Sequence, residues 1–256
     1  MNIVDKFGFP QQILMDLPIT KVALKNNDDA TLSDRRLLDN PDIQSIRMKA
    51  IIKQETANIP PFQSEDESYL EVYCVDVILQ AGTYEKYYKK IAHLLHKLIP
   101  HHLIIIIQSD DHTMVNFSLA TKSISKNSEQ LRVIQNEFYT EKIDFENESF
   151  LEALHYENAN KQNLKTLYNY YIMVAQNYNL IDVTQKFQLR TYEQTEEMLT
   201  LQEEIEAYQT QINQNIKQLT AATQMSEKVQ LNTDIHTLKT KIEELKNTLL
   251  NYGKDQ

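Results

Sequence analysis

Residues 69–108 read YLEVYCVDVILQAGTYEKYYKKIAHLLHKLIPHHLIIIIQ, and this stretch decides the fold. Its first part, residues 69–79, is rich in β-branched and aromatic side chains, which is typical of a strand. From Tyr84 to Leu98, apolar residues recur at intervals of three and four, which predicts one apolar stripe on a helix. Residues 103–108 then form a continuous apolar run, which predicts a strand buried on both faces. The order strand–helix–strand therefore predicts a sheet with a helix packed on it.

Alternating segments on either side of this unit extend the sheet. Residues 45–54 and 113–122 alternate between apolar and polar side chains, as half-buried strands do. Thr31 or Ser33 is suited to cap a short helix that follows it. We therefore predict an α+β domain over residues 1–155, in which a mixed or antiparallel sheet carries helices on one face.

The character of the chain changes towards its C-terminus. No glycine or proline occurs between residues 193 and 252, and apolar side chains follow heptad spacing in two runs whose registers do not join. Because a fold-back near residues 220–228 explains this slip, we predict a connecting helix over 156–190 and an antiparallel coiled-coil hairpin over 191–256. Two interpretations of the hairpin stay open, a self-packed stiffener and an arm that docks a partner or a second copy. The docking positions would be Met198, Leu201, Ile205, Ile212, Leu231, Ile235, Leu238, Ile242, Leu245 and Leu249.

Composition excludes several classes of protein. The net charge is −10, so that contact with nucleic acid would have to be local. Only three glycines occur, too few for a phosphate-binding loop or a dinucleotide-binding turn, and we expect no cofactor. The lone cysteine, Cys74, lies in an apolar run and is expected to be buried. The N-terminal residues do not resemble a signal peptide and no apolar run is long enough to span a membrane, so we expect a cytoplasmic protein.

Histidines near residue 100 raise the question of a metal site. His96, His101 and His102 lie close together in the sequence and are weak candidate ligands, but the turn between them lacks a carboxylate. The acidic turn at 110–112 lies at the other end of the predicted strand. We therefore assign no metal ligands, and no catalytic residues either.

Two further kinds of chemistry stay open as alternatives. A metal-dependent nuclease could use Glu71 or Asp76, although Tyr73 occupies the position where such a site needs lysine, and the two carboxylates point to opposite faces of a strand. A DNA-binding module could use the basic residues between positions 21 and 53. The candidate contacts to nucleic acid in that segment are Lys25, Arg36, Arg47 and Lys49.

The order of several short motifs resembles a bacterial family that is classified as a domain of unknown function. The resemblance continues through residues 98–100 and 118–122 and returns at 223–235, so that it spans nearly the whole chain. This sequence departs from the family pattern at Gln54, where the family has proline, and at His101–His102, where it has an aromatic residue and proline; the second departure counts against a metal role. The matching residues are Lys21, Thr31, Asp34, Arg35, Lys53, Thr56, Tyr69, Leu70 and Glu71.

Members of that family are typically encoded beside helicases and type III-like DNA methyltransferases. The resemblance therefore implies an accessory protein of a restriction-modification or phage-defence system. Our leading hypothesis is a non-enzymatic subunit that docks a helicase or methyltransferase, or pairs with a second copy, and that touches DNA only indirectly. Its recognition surface would comprise Lys21, Thr31, Asp34, Arg35, Lys53, Tyr69 and Glu71.

Overall fold

The computed structural model describes residues 3–125 and 128–252. The chain divides into two compact units, Met1–Asn179 and Leu180–Gln256. The first unit contains eight strands within the described ranges, namely β1 (Leu14–Pro18), β2 (Ile43–Ile52), β3 (Phe62–Gln63), β4 (Ser68–Tyr69), β5 (Val72–Leu79), β6 (His102–Ser109), β7 (Val115–Ser125) and β8 (Ser128–Tyr139). Its helices are α1 (Lys21–Lys25), α2 (Leu32–Leu38), α3 (Gln54–Ala57), α4 (Tyr84–Leu98), α5 (Glu148–Ala153) and α6 (Leu164–Asn179).

Six strands form the main sheet, in the order β1-β2-β5-β6-β7-β8. β5 and β6 pair in parallel, with α4 as the crossover between them, whereas the other neighbours pair antiparallel. The predicted order of strand, helix and strand is therefore confirmed. Every residue of β6 is buried, as the continuous apolar run predicts for an inner strand.

One face of the sheet packs against α4. Val75, Val77 and Leu79 of β5 lie in one apolar cluster with the stripe of α4, and so do Leu103, Ile105 and Ile107 of β6. Alternation along each strand puts these side chains on a common face. Ile91 and Leu95 of α4 are fully buried there, which confirms the predicted stripe.

A second helix, α6, packs on the opposite face, so that the sheet carries helices on both faces rather than on one. Tyr168 of α6 contacts His102 of β6 with ring centroids 5.0 Å apart, and Tyr171 lies 5.6 Å from Phe7 near the N-terminus. Phe7 in turn contacts Phe117 of β7. The predicted connecting segment 156–190 is thus divided between the two units. Its helix α6 belongs to the first unit, because the aromatic face of α6 is buried against the sheet.

The second unit contains α7 (Ile181–Thr184), α8 (Tyr192–Ala221) and α9 (Met225–Asn251). α8 and α9 are long helices that pack against each other as a hairpin, and the chain turns between Ala222 and Gln224. This confirms the fold-back that the two heptad registers predict. None of the helices in the described ranges is both long and apolar enough to cross a membrane.

Candidate functional site

A cleft of about 890 Å³ opens between α2, α4 and the end of β8. α2 begins with a capping box, in which the Thr31 hydroxyl accepts the backbone N–H of Asp34 and the Asp34 carboxylate accepts the backbone N–H of Thr31. Asp34 also accepts a 2.6 Å hydrogen bond from Lys97 of α4, and this ion pair fixes α2 beside α4. The acidic and basic residues that line the cleft are Asp34, Arg36, Asp39, Lys89, Lys90, His93 and Glu137.

Each acidic residue of the cleft has a basic or titratable partner. Asp34 pairs with Lys97, and Asp39 pairs with Lys25. Both carboxylate oxygens of Glu137 lie 3.1 Å from Nδ1 of His93. Burial acts to raise the pKa of Asp34, but the hydrogen bonds from Lys97 and Thr31 lower it below its ordinary value.

The basic residues of the cleft are less compensated. Of the residues that the structure describes, no carboxylate forms an ion pair with Arg36, Lys89 or Lys90. All three side chains are exposed. Lys86, one turn before Lys90 on α4, is also exposed, and a neighbouring tyrosine, Tyr87, raises its pKa. The surface beside α4 is therefore locally basic on a chain that is acidic as a whole.

Tyrosine rings hold the lysines of α4 in place. The ammonium group of Lys89 lies 5.6 Å from the ring centroid of Tyr88 and 5.5 Å from that of Tyr139. Lys90 lies 6.0 Å from the ring centroid of Tyr87. Such cation–π contacts orient an ammonium group while leaving its full charge in place, unlike an ion pair with a carboxylate.

The predicted nucleic-acid contacts separate in the structure. Arg47 and Lys49 of β2 both donate to Asp16 of β1, at 2.6 and 2.8 Å, and these bonds hold the pKa of Asp16 far below its usual range. Lys25 pairs with Asp39. Arg36 alone of the four candidates lines the cleft without a carboxylate partner among the described residues.

The lysines of α4 supply most of the positive charge that has no acidic partner in the cleft, and they are not among the contacts predicted from the sequence. A signal was present, since Lys86, Lys89, Lys90 and Lys97 recur at helical spacing, with Glu85 as the only acidic residue of the helix. Inspection of one segment at a time cannot reveal such a surface, because the basic residues of α2 and α4 are about fifty residues apart in the sequence.

The family-motif residues near the N-terminus stabilise the loops around α1 and α2. The ammonium group of Lys21 donates to the carbonyl oxygen of Asn40 at 2.8 Å, and burial lowers its pKa. Thr31 and Asp34 form the capping box of α2, whereas Arg35 is exposed. The first two contacts explain why these residue types occur there, without requiring a ligand.

A second group of motif residues lies where β2 ends and β5 begins. The hydroxyl of Tyr73 donates to the carboxylate of Glu71. Lys53 and His101 approach the same carboxylate at 3.8 and 4.0 Å, and the hydroxyl of Thr56 donates to the carbonyl oxygen of Ile51. Glu71 is thus surrounded by donors, which leaves Lys53, Tyr73 and His101 as a polar cluster around one acid.

Tyr69, the remaining motif residue of the predicted recognition surface, is fully buried. Its ring stacks on the imidazole of His102, with centroids 3.7 Å apart. An aromatic residue at this position therefore fills the core between the sheet and α6, and it cannot form part of an exposed surface. Leu70, which follows it, is 41% exposed.

The three histidines considered as metal ligands do not converge. His96 of α4 is buried on the α4 face of the sheet, where its Nε2 lies 3.0 Å from the Ser118 hydroxyl of β7. His102 stacks on the opposite face, between Tyr69 and α6. Burial lowers the pKa of His96 well below its usual range and that of His102 to about 2. No group of three or more potential ligands forms within the described ranges.

The two carboxylates considered for a nuclease, those of Glu71 and Asp76, lie in different surroundings. Asp76 is buried in β5, where Nε2 of Gln108 donates to it at 2.5 Å. Burial raises the pKa of Asp76, although the bond from Gln108 opposes that shift. Glu71 belongs to the polar cluster described above, and its odd position places it on the other face from Asp76.

The ten positions proposed for docking lie along the hairpin, and six of them are buried. Met198 and Leu249 form one apolar cluster of the second unit, whereas Ile212, Ile235 and Ile242 form another; Leu231 is buried as well. The remaining positions, Leu201, Ile205, Leu238 and Leu245, are half-buried. The apolar contact between α8 and α9, which we call the seam, is therefore buried in large part, and the rest of it is partly exposed to solvent.

Comparison with known proteins identifies a family for this chain. Searches of curated proteins and of solved structures found no match. One family model, described as a domain of unknown function, matches residues 7–242, nearly the whole chain and parts of both units. The chain therefore belongs to the family of the domain of unknown function DUF4391.

Proposed function

We propose that the protein is a non-catalytic accessory subunit that docks a protein partner through its helical hairpin. The observation that best supports this proposal is the incomplete burial of the seam between α8 and α9. A partner helix can cover the apolar surface that a two-helix seam leaves partly exposed. The hairpin would therefore act as an arm that is completed by its partner.

Exposed apolar side chains also occur near the turn of the hairpin. Ile216 of α8 is 44% exposed, and Val229 and Met225 of α9 are 56% and 76% exposed. These three residues flank the turn between the helices, and together we call them the hairpin tip. Isolated exposed apolar residues are common, but a group next to a half-buried seam is typical of a surface that another protein covers.

Charge narrows the class of partner. Residues 193–216 carry six glutamates and neither lysine nor arginine. A partner helix that lies along α8 is therefore expected to combine an apolar stripe with flanking lysine or arginine residues. Such pairs at the rim add specificity and faster association more than they add affinity.

The family resemblance supplies the proposed identity of the partner. We infer that it is the helicase or the DNA methyltransferase encoded beside such proteins, in a restriction-modification or anti-phage system. In this arrangement the partner performs the chemistry on DNA, and this chain acts as its binding subunit in the cytoplasm.

Co-purification tests the proposal directly. The full chain would be co-expressed with the neighbouring helicase and methyltransferase, as wild type and as the double variant Ile216→Glu/Val229→Glu. Both positions are exposed, so that the hairpin should still fold, and the added charges should reduce recovery of the partner about tenfold or more. The matched control is Gln214→Glu/Ser226→Glu, which adds the same charge at exposed polar positions of the same helices.

Three outcomes are informative. Loss of partner from the tip variant alone supports docking. Equal recovery by wild type, tip variant and control contradicts it. If light scattering instead shows a wild-type dimer that the tip variant converts to a monomer, and no partner is retained, the hairpin pairs two copies and docking of a different protein is wrong.

A further inference from the structure

The cleft between α2, α4 and β8 combines features that together indicate a particular ligand chemistry. Its volume of about 890 Å³ lies within the range of small-molecule sites, which is about 300–1,000 Å³. Basic residues lie on two of its walls, Arg36 on α2 and Lys89 and Lys90 on α4. An occupant that reaches both walls would meet positive charge from two directions.

Two of the three carboxylates that line the cleft are paired with lysines, and the third, Glu137, lies 3.1 Å from Nδ1 of His93. Asp34 and Asp39 form ion pairs with Lys97 and Lys25, neither of which lines the cleft. Those two lysines add positive charge behind the carboxylates. Within the described part of the chain, Arg36, Lys89 and Lys90 have no ion pair to neutralise them, so that an anionic ligand can take that role.

The lysines are also positioned in advance of binding. The ammonium group of Lys89 lies within 6 Å of the rings of both Tyr88 and Tyr139, and that of Lys90 lies near the ring of Tyr87. Restricting a flexible lysine before binding lowers the entropy cost of ordering it in the complex. Because the rings leave the ammonium charge in place, they prepare the lysines for an anion, whereas a carboxylate partner would compete with it.

We propose that this cleft binds the phosphate groups of a nucleotide, either as a free nucleotide or as part of a nucleic-acid strand. Arg36 suits the oxygens of a phosphate through its planar guanidinium group, and Lys89 and Lys90 supply point charges from the opposite wall. The rest of the volume accommodates the attached nucleoside. The attraction is local, since a chain with a net charge of −10 would repel polyanions over most of its surface.

Fluorescence anisotropy with the full chain tests this proposal. The probes are a fluorescent oligothymidylate and a fluorescent ATP analogue, each titrated at low and at moderate salt. Lys89→Ala/Lys90→Ala should weaken binding of the preferred probe about tenfold or more and reduce the salt slope for the oligonucleotide by about 2. Arg36→Ala should weaken binding in the same direction. The variants alter exposed side chains, and circular dichroism would verify that they fold.

The matched control is Lys142→Ala/Lys186→Ala, which removes the same charge from two exposed lysines that do not line the cleft. Lys89→Arg/Lys90→Arg should retain binding, because it keeps the charge at both positions. Binding of the ATP analogue identifies a free nucleotide as the ligand, and binding of the oligonucleotide alone identifies a strand. The proposal is wrong if neither probe binds at low salt, or if the control weakens binding as much as the cleft variant does.

Discussion

The hydroxyl of Tyr168 donates a hydrogen bond of 2.8 Å to the carbonyl oxygen of Leu103. The hydroxyl oxygen of Tyr168 in turn accepts a hydrogen bond from the backbone N–H of Ala120 at 2.8 Å. One buried side chain of α6 therefore satisfies backbone groups on two neighbouring strands, β6 and β7, next to the paired residues of their ladder. α6 is thus tied to the sheet by polar contacts as well as by apolar packing.

We predict that Tyr168→Phe lowers the free energy of unfolding by about 1–3 kcal/mol, because a buried carbonyl and a buried N–H lose their partner. Urea denaturation would measure the change. Tyr171→Phe is the matched control, since Tyr171 is buried in the same helix and its hydroxyl has no hydrogen-bond partner among the described residues. Equal losses for the two variants would contradict the bridging role of Tyr168.

Lys122 should make the free energy of unfolding depend on pH in the alkaline range. Its ammonium group donates to the carbonyl oxygens of Ile99 and His101 at 2.6 and 2.7 Å, and burial lowers its pKa from 10.5 to about 7. Between those two values the unfolded chain binds a proton that the folded chain does not. The free energy of unfolding should therefore rise as pH increases from about 7 towards 10.

Lys122→Met removes this titration, so the rise in stability between pH 7 and about 9.5 should be smaller in the variant than in the wild type. The variant should also be less stable at the upper pH by about 1–3 kcal/mol, since two carbonyl groups lose their donor. Urea denaturation at several pH values would show both effects. Lys142→Met, at an exposed lysine, should follow the wild-type pH dependence, and an unchanged slope in Lys122→Met would refute the assignment.

His102 should make the free energy of unfolding depend on pH in the acidic range. Burial lowers its pKa to about 2, whereas an unfolded chain protonates histidine near pH 6.5. Stability is therefore lost as pH falls below 6.5, and this histidine contributes a loss of about 2 kcal/mol at pH 5. His102→Phe keeps a ring against Tyr69 and should make the loss between pH 7 and pH 5 smaller by about that amount.

Both ring nitrogens of His102 are without a hydrogen-bond partner among the described residues, so that phenylalanine sacrifices no such bond. The control is His236→Gln, at an exposed position of α9. It should leave the acid dependence unaltered. If His102→Phe unfolds with the wild-type pH dependence, the buried imidazole is not the group responsible.

Substitution of a buried isoleucine in the hairpin should destabilise it more than substitution of an exposed one. Ile212 is 2% exposed and packs with Ile235 and Ile242, whereas Ile216, one turn later, is 44% exposed. We predict that Ile212→Ala lowers the stability of the second unit by about 2–5 kcal/mol, and that Ile216→Ala changes it by less than about 0.5 kcal/mol. Chemical denaturation monitored by helical circular dichroism would measure both changes. Similar losses of stability at both positions would contradict the packing of Ile212 in the hairpin core.

The strands around α4 could be predicted because their patterns report burial directly. Five consecutive apolar residues from Leu103 to Ile107 cannot form a half-exposed strand, and the structure places β6 inside the sheet with every residue buried. The heptad slip between α8 and α9 likewise reports the turn at residues 222–224. In both cases the information lies within one short segment of sequence.

Features that depend on distant partners could not be predicted in this way. Arg47 and Lys49 looked available for phosphate, but Asp16, about thirty residues earlier in the chain, engages both. His96 is a weak candidate ligand in the sequence, but Ser118 of β7 lies against its ring. The aromatic face of α6 predicts burial without stating which face of the sheet covers it. Side-chain periodicity shows that a group is buried or charged, and only the fold shows what it meets.

The first strand gives the sheet an edge that resists extension. β1 has only five residues, and it ends at Pro18, which has no N–H to offer to another strand. Asp16 places a charged group beside this edge, where Arg47 and Lys49 hold it. Short strands, proline and charge are the devices that keep sheets from joining edge to edge. At high concentration, molecules of this protein are therefore protected at β1 from aggregating by strand addition.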